Sequence, residues 1–170
     1  LSRDLVAKRI SVSSFAVGPQ VNLPLLAAIA NQTGGLLVSA PQDASTAQPT
    51  VSPQQVGAHL AAAVRETVAW PTATQLPEAL KDALPTTIPP LRSDRDTVLV
   101  GKLAEGDVGS LKVTAEVSGK PVAMQWPLKA EKSNEEFTFL PRLVELAQAD
   151  RGASLPTVGS EGLKSVAVAL

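Results

Sequence analysis

Residues 9–40 read RISVSSFAVGPQVNLPLLAAIANQTGGLLVSA and decide the fold. Residues 10–17 are apolar and β-branched, the composition of a fully buried strand. Gly18-Pro19 breaks that run. Asn22 is placed to cap a helix whose first turn accepts Pro24. Leu25, Leu26, Ile29 and Ala30 then recur at helical spacing, and Gly34-Gly35 stops the helix where a positive φ is wanted. Leu36-Leu37-Val38 resumes as a short apolar strand. A strand, helix and strand in this order predict parallel pairing, which needs further parallel strands to cover it. No later stretch reads as such strands, so they are expected before Leu1.

Working outward, residues 1–8 (LSRDLVAK) read as the end of a helix. Residues 41–51 are small and polar, a surface loop. Ser52 opens a helix with a Ser52/Gln55 capping box and Pro53 at the first helical position. Val56, Leu60, Val64 and Val68 recur every four residues as its expected buried stripe. Residues 69–90 are proline-rich, with a short strand expected before Pro71 and a helical turn from Glu78 to Ala83.

The period then changes. Thr97 to Val100 read as a strand broken at Gly101. Leu111, Val113, Ala115 and Val117 alternate with polar residues, a half-buried strand with one wet face. Ser118-Gly119-Lys120-Pro121 is a turn, and Val122, Met124 and Trp126 alternate again, as a hairpin partner does. Residues 137–152 read as a strand end and a helix with Leu140, Leu143, Val144 and Ala147 on its apolar side, stopped by Gly152. The chain finishes on a Pro/Gly/Ser loop and the apolar run VAVAL.

The run S-F-A-V-G-x-x-x-N-x-x-L-L-x-x-I-A-x-x-T-G-G, from Ser14 to Gly35, resembles the last third of a von Willebrand factor A domain. The second half, "IPPLRSDRDTVLVGKL" through "WPL" to "FLPRL", resembles the β-rich segment that follows that domain in bacterial inter-alpha-trypsin-inhibitor/von Willebrand A proteins. Leu140 to Ala147 matches the helix of those proteins without its tryptophan.

The resemblance implies an α/β fold: the C-terminal third of a Rossmann-like A domain, then a small antiparallel β unit and a helix. It divides the chain into residues 1–70 (A-like portion), 71–90 (Pro-rich connection), 91–135 (β-rich unit) and 136–170 (helix and tail). It also implies a non-enzymatic protein-binding, adhesion or scaffold module at an extracytoplasmic or cell-surface location, with a protein partner. The alternative is a structural subunit or cleaved fragment whose sheet an upstream chain completes, because Leu1 is not a start methionine.

Composition narrows the chemistry. Lys+Arg 15 against Asp+Glu 16 gives a net charge of −1, without the basic excess of a nucleic-acid module. No apolar run is long enough to span a bilayer, and no signal peptide begins at Leu1. The absence of cysteine excludes disulfides and thiol catalysis. Hydrophobic residues make up 44% but aromatic ones only 3%, so the core is built of Leu, Val, Ile and Ala.

No catalytic, cofactor-binding or metal-binding residue is assigned. The family's Mg²⁺ site uses D-x-S-x-S, a Thr and an Asp, oxygen ligands suited to a hard cation. The nearest approach, Asp43-Ala44-Ser45-Thr46-Ala47, ends on Ala, so Mg²⁺ is expected only in a longer protein. His59 is the single histidine and lacks a nucleophile elbow; it reads as a boundary residue on a helix rather than a hydrolase base. Arg92, Asp94, Arg95 and Asp96 (RSDRD) form the densest charge cluster, read as solvated charges that pair with each other or cap a strand, against a partner patch. Glu135-Glu136 are adjacent and point apart. Gly34-Gly35 lacks the Lys-Ser/Thr of a phosphate loop. Asn31-Gln32-Thr33 fits a glycosylation acceptor in a secreted chain. Trp70 and Trp126 each precede proline and read as packing residues.

Overall fold

The computed structural model describes residues 1–18, 20–39, 52–104, 108–129, 140–149, 151–152 and 155. The chain begins with a short helix, α1 (Ser2–Ala7), none of whose residues is buried. Strand β1 (Ser14–Ala16), helix α2 (Leu23–Thr33) and strand β2 (Leu37–Ser39) follow. β1 and β2 pair in parallel, Phe15 opposite Val38, as the intervening helix requires. Asn22 caps α2, its side-chain oxygen accepting from the Leu25 N–H at 3.1 Å. At the other end Gly34 adopts the left-handed conformation (φ 73°), and the Gly35 N–H reaches back to the Ala30 carbonyl at 2.9 Å. Gly35 has a second reason to be glycine: a Cβ there would lie 1.9 Å from the Val12 carbonyl oxygen.

The buried strand expected over residues 10–17 is a correction. Only Ser14–Ala16 is strand, and Ile10 and Val17 are 45% and 70% exposed. The preceding backbone is held by other means: Ile10 donates to the Leu5 carbonyl at 2.8 Å and Val12 to the Thr33 hydroxyl at 3.1 Å. Among the described residues β1 has one strand neighbour, β2.

Helix α3 (Pro53–Arg65) carries the expected capping box, Ser52 and Gln55 each accepting from the other's backbone N–H. Its buried side differs from the expectation. Val56 and Ala63 are buried and Leu60 half-buried, whereas Val64 is 81% exposed and Val68 lies beyond the helix. Steps of four residues drift by about 40° each around an α-helix, so Val64 has turned away from the side that Val56 occupies.

The remaining strands are antiparallel: β3 (Val68–Gln75), β4 (Leu80–Leu84), β5 (Leu91–Arg92), β6 (Val100–Leu103), β7 (Ser110–Val117) and β8 (Lys120–Pro127). They form a curled sheet of order β5-β3-β7-β8 and a separate β4-β6 pair. Residues 71–90, read as a connection, hold most of β3 and all of β4, and the helical turn expected at Glu78 to Ala83 is corrected to a turn at Glu78-Ala79 and strand from Leu80. Pro71 is tolerated because the β3–β7 register shifts between Pro71 and Ala73, the irregularity at which a strand accepts proline. β6 starts at Val100 and runs through Gly101 rather than stopping there. Glycine allows β4 to approach, since a Cβ would sit 2.8 Å from the Lys81 carbonyl oxygen.

The β7–β8 hairpin follows the sequence closely. Val117 pairs with Lys120 across a two-residue turn in which Ser118 (φ 49°) and Gly119 (φ 80°) both have positive φ, the turn that suits strand twist. Leu111, Val113 and Ala115 face Trp126, Met124 and Val122. Val113 and Ala115 are buried, while β8 is exposed except for half-buried Met124.

Helix α4 (Leu140–Ala149) sets Ala147 into a cluster with Val100 and Leu155, with Val144 against it, and Gly152 closes it through its N–H to the Ala147 carbonyl at 2.7 Å. The strand end expected before α4 and the side chains of Leu140 and Leu143 fall outside the described residues. The architecture is mixed α/β. Among the described residues no helix is long and apolar enough to cross a membrane.

Candidate functional site

The RSDRD stretch, which starts at the last residue of β5, joins the two kinds of structure. Arg95 Nη1 donates to the carbonyls of Ala30 (3.1 Å) and Gly35 (2.6 Å), and Nη2 to those of Asn31 (3.2 Å) and Pro90 (2.8 Å). Arg92 Nη1 donates to the Gly34 carbonyl at 3.1 Å and Nη2 to the Ala63 carbonyl at 3.0 Å. Its Nε and Nη2 also grip Asp94 at 2.7 and 2.6 Å. The two guanidinium groups therefore meet the carbonyl ends of α2 and α3, where backbone acceptors lack intrahelical partners and the helix dipole favours a cation.

This corrects the reading of RSDRD as solvated charges. Arg92 and Asp94 do pair, but the Arg92 side chain is 0% exposed and Arg95 is buried. The bidentate bond from Arg92 holds the Asp94 carboxyl below its usual range. Burial, with the neighbouring charge of Arg92, pushes the Arg95 guanidinium down to about 10.

The same stretch walls an apolar cleft of about 840 Å³ against the curled sheet. Leu76, Leu80, Ile88, Leu111, Met124 and Trp126 are among the apolar residues that line it. Its ionised groups come from one short piece of chain, Arg92, Arg95 and Asp96. That volume lies within the range of small-molecule pockets. The sequence pointed to Trp126 and Met124 only as packing residues; the alternation in β7 and β8 that puts Leu111, Val113, Met124 and Trp126 on one face was the signal for a shared wall.

The other flagged residues do not converge. His59 is exposed on α3 and is not among the residues that line the cleft. Trp70 is half-buried in β3 and does not line the cleft. Asn31, the glycosylation candidate, is 4% exposed and donates its side-chain amide to the Leu155 carbonyl at 2.7 Å. The Gly34-Gly35 pair is accounted for by the helix stop and by the close approach of Val12 and Pro90. Asp43, Ser45, Glu135 and Glu136 lie outside the described residues. Among the described residues no group of three or more His, Asp or Glu side chains is placed to hold a metal. Comparison of the chain with known protein families, with curated proteins and with solved structures finds no match.

Proposed function

We propose that the chain is a non-enzymatic binding or scaffold module, related to the closing third of a von Willebrand A domain, that works by packing its N-terminal α/β part against additional parallel strands. One observation carries this reading: among the described residues β1 and β2 form a two-stranded parallel pair, and the apolar residues Ile10, Phe15, Val17, Leu23 and Leu25 are exposed. Parallel sheets occur with their faces covered, and a two-stranded sheet is marginal in water. The added strands are apolar, and the protein partner of the module, like its adhesion role, comes from the resemblance. The adhesion role and the extracytoplasmic or cell-surface location come only from the family resemblance of residues 14–35 and of the second half, which is an analogy of fold and not of a site. Any Mg²⁺ site belongs to a longer protein or to the partner.

The second reading is a structural subunit whose sheet another chain completes. The same exposed β1 supports it, and the two readings differ only in whether the added strands belong to the same polypeptide.

A photo-cross-linking amino acid at Val17, used in the native cell, tests the proposal. Cross-links are expected on a strand-forming apolar segment; sequencing assigns that segment to the same polypeptide or to another chain. A cross-linker at Val64, which is equally open on α3, serves as the background. Val17 cross-links no more abundant or specific than those from Val64 would defeat both readings.

A further inference from the structure

We propose that the cleft on the curled sheet binds a small apolar molecule carrying one amine. The inference is independent of the binding-module reading above. Most of the wall is aliphatic, with Met124 and Trp126 contributed by β8, so the body of the ligand is apolar.

The sign of its charge follows from the hydrogen bonds of the three ionised wall residues. Arg92 is engaged by Asp94 and by the carbonyls of Gly34 and Ala63. Arg95 gives both terminal nitrogens to four carbonyls, and its remaining Nε is sealed from solvent without a partner. The Arg92 side chain is also 0% exposed, so neither arginine offers a donor to a ligand. Asp96 is exposed, and it has no hydrogen-bond or ion-pair partner among the described residues. The charge available to an occupant is thus a carboxylate, and an ammonium group is its complement.

The edge of the sheet argues for a small molecule over an extended peptide. Because Val117 and Lys120 flank the two-residue turn, alternate residues of β8 direct their backbone polar groups away from β7. Those outward positions are 121, 123, 125 and 127, and two of the four are proline, Pro121 and Pro127. Among the described residues β8 is an edge strand, and that edge is left with the N–H groups of Ala123 and Gln125, a poor ladder for an added strand.

Decylamine, decanol and decanoate share a chain and differ in the charge of the head, so they separate the contributions. Binding to the full chain at neutral pH is measured below micellar concentration by calorimetry and by Trp126 fluorescence in a Trp70→Phe background. Saturable one-to-one binding is expected, with decylamine tighter than decanol by about fivefold, the scale of a partly solvated ion pair, and decanoate weakest. Asp96→Asn is expected to bring decylamine and decanol within about twofold of each other, while Asp4→Asn leaves the difference in place. Met124→Trp, which fills the cleft, is expected to weaken all three. The proposal is overturned if no probe binds saturably, if decanoate binds as tightly as decylamine, or if the amine preference survives Asp96→Asn.

Discussion

Arg95 Nη1 donates to the Gly35 carbonyl at 2.6 Å, across 60 residues of sequence. That bond and its three companions make a single side chain the closing piece of α2. Arg95→Met removes the donors from four carbonyls at once and is expected to lower the stability of the chain by about 3 kcal/mol in urea unfolding. Arg95→Lys keeps the charge but not the planar fork, and is expected to recover less than half of the loss. A loss under about 0.5 kcal/mol for the Met variant, the scale of an ordinary surface substitution, would show that the clasp is dispensable.

Asp94 gives this clasp a pH dependence. Its folded-state carboxyl lies below the usual range because Arg92 binds the ionised form. The stabilisation is therefore fully present above the ordinary carboxylate range, near pH 4, and is lost as pH falls through the lower folded value. Urea midpoints at pH 7 are expected to be higher for the wild type than for Asp94→Asn, with the gap closing between pH 4 and more acidic solution, in line with ordinary carboxylate titration. A gap that stays constant over that interval would contradict the assignment.

Two glycines are expected to respond in opposite directions to alanine. Gly57 lies inside α3 with open space where a Cβ would go, so Gly57→Ala raises stability by about 0.5 to 1 kcal/mol through helix propensity. Gly35→Ala drives a methyl group into the Val12 backbone and is expected to cost more than about 2 kcal/mol. Thermal unfolding of the two variants beside the wild type checks both signs.

Asn31 is expected to remain unmodified in the folded protein even when secreted from a glycosylating cell, because its amide nitrogen already donates to Leu155 inside the structure. Intact mass should equal that of the unmodified chain. An added glycan mass that disappears in Asn31→Gln would refute this.

Local features of the fold were legible wherever the determinants lie close in sequence. Asn22, Ser52 with Gln55, Gly34, and the Ser118-Gly119 turn act on backbone groups a few residues away, and each does so as its chemistry predicts. The misread elements depend on distant partners. Leu80–Leu84 becomes strand because it pairs with Val100–Leu103, which no local pattern announces. β1 is strand only where it pairs with Leu37–Ser39, its one strand neighbour among the described residues. The burial of Arg92 and Arg95 was hidden for the same reason, although one trace of it is present: α2 has no basic residue in its own last turn, so the cation that meets its carbonyl end comes from elsewhere. The cleft was legible as an apolar alternation in β7 and β8, but its polar wall comes from Arg92, Ser93, Arg95, Asp96 and Thr97, which no local pattern places there.

The incompleteness of the β1–β2 pair is the claim on which the functional account stands. Hydrogen exchange of the isolated chain, read by mass spectrometry on peptides covering residues 10–39 and 110–127, tests it most directly. The account predicts that amides of Ser14–Ala16 and Leu37–Ser39 exchange through local opening, well before those of β7, which is paired on both sides. If β1 and β2 are protected to the same degree as β7 in the chain alone, the parallel pair is a finished structure, and no added strands are needed to explain it.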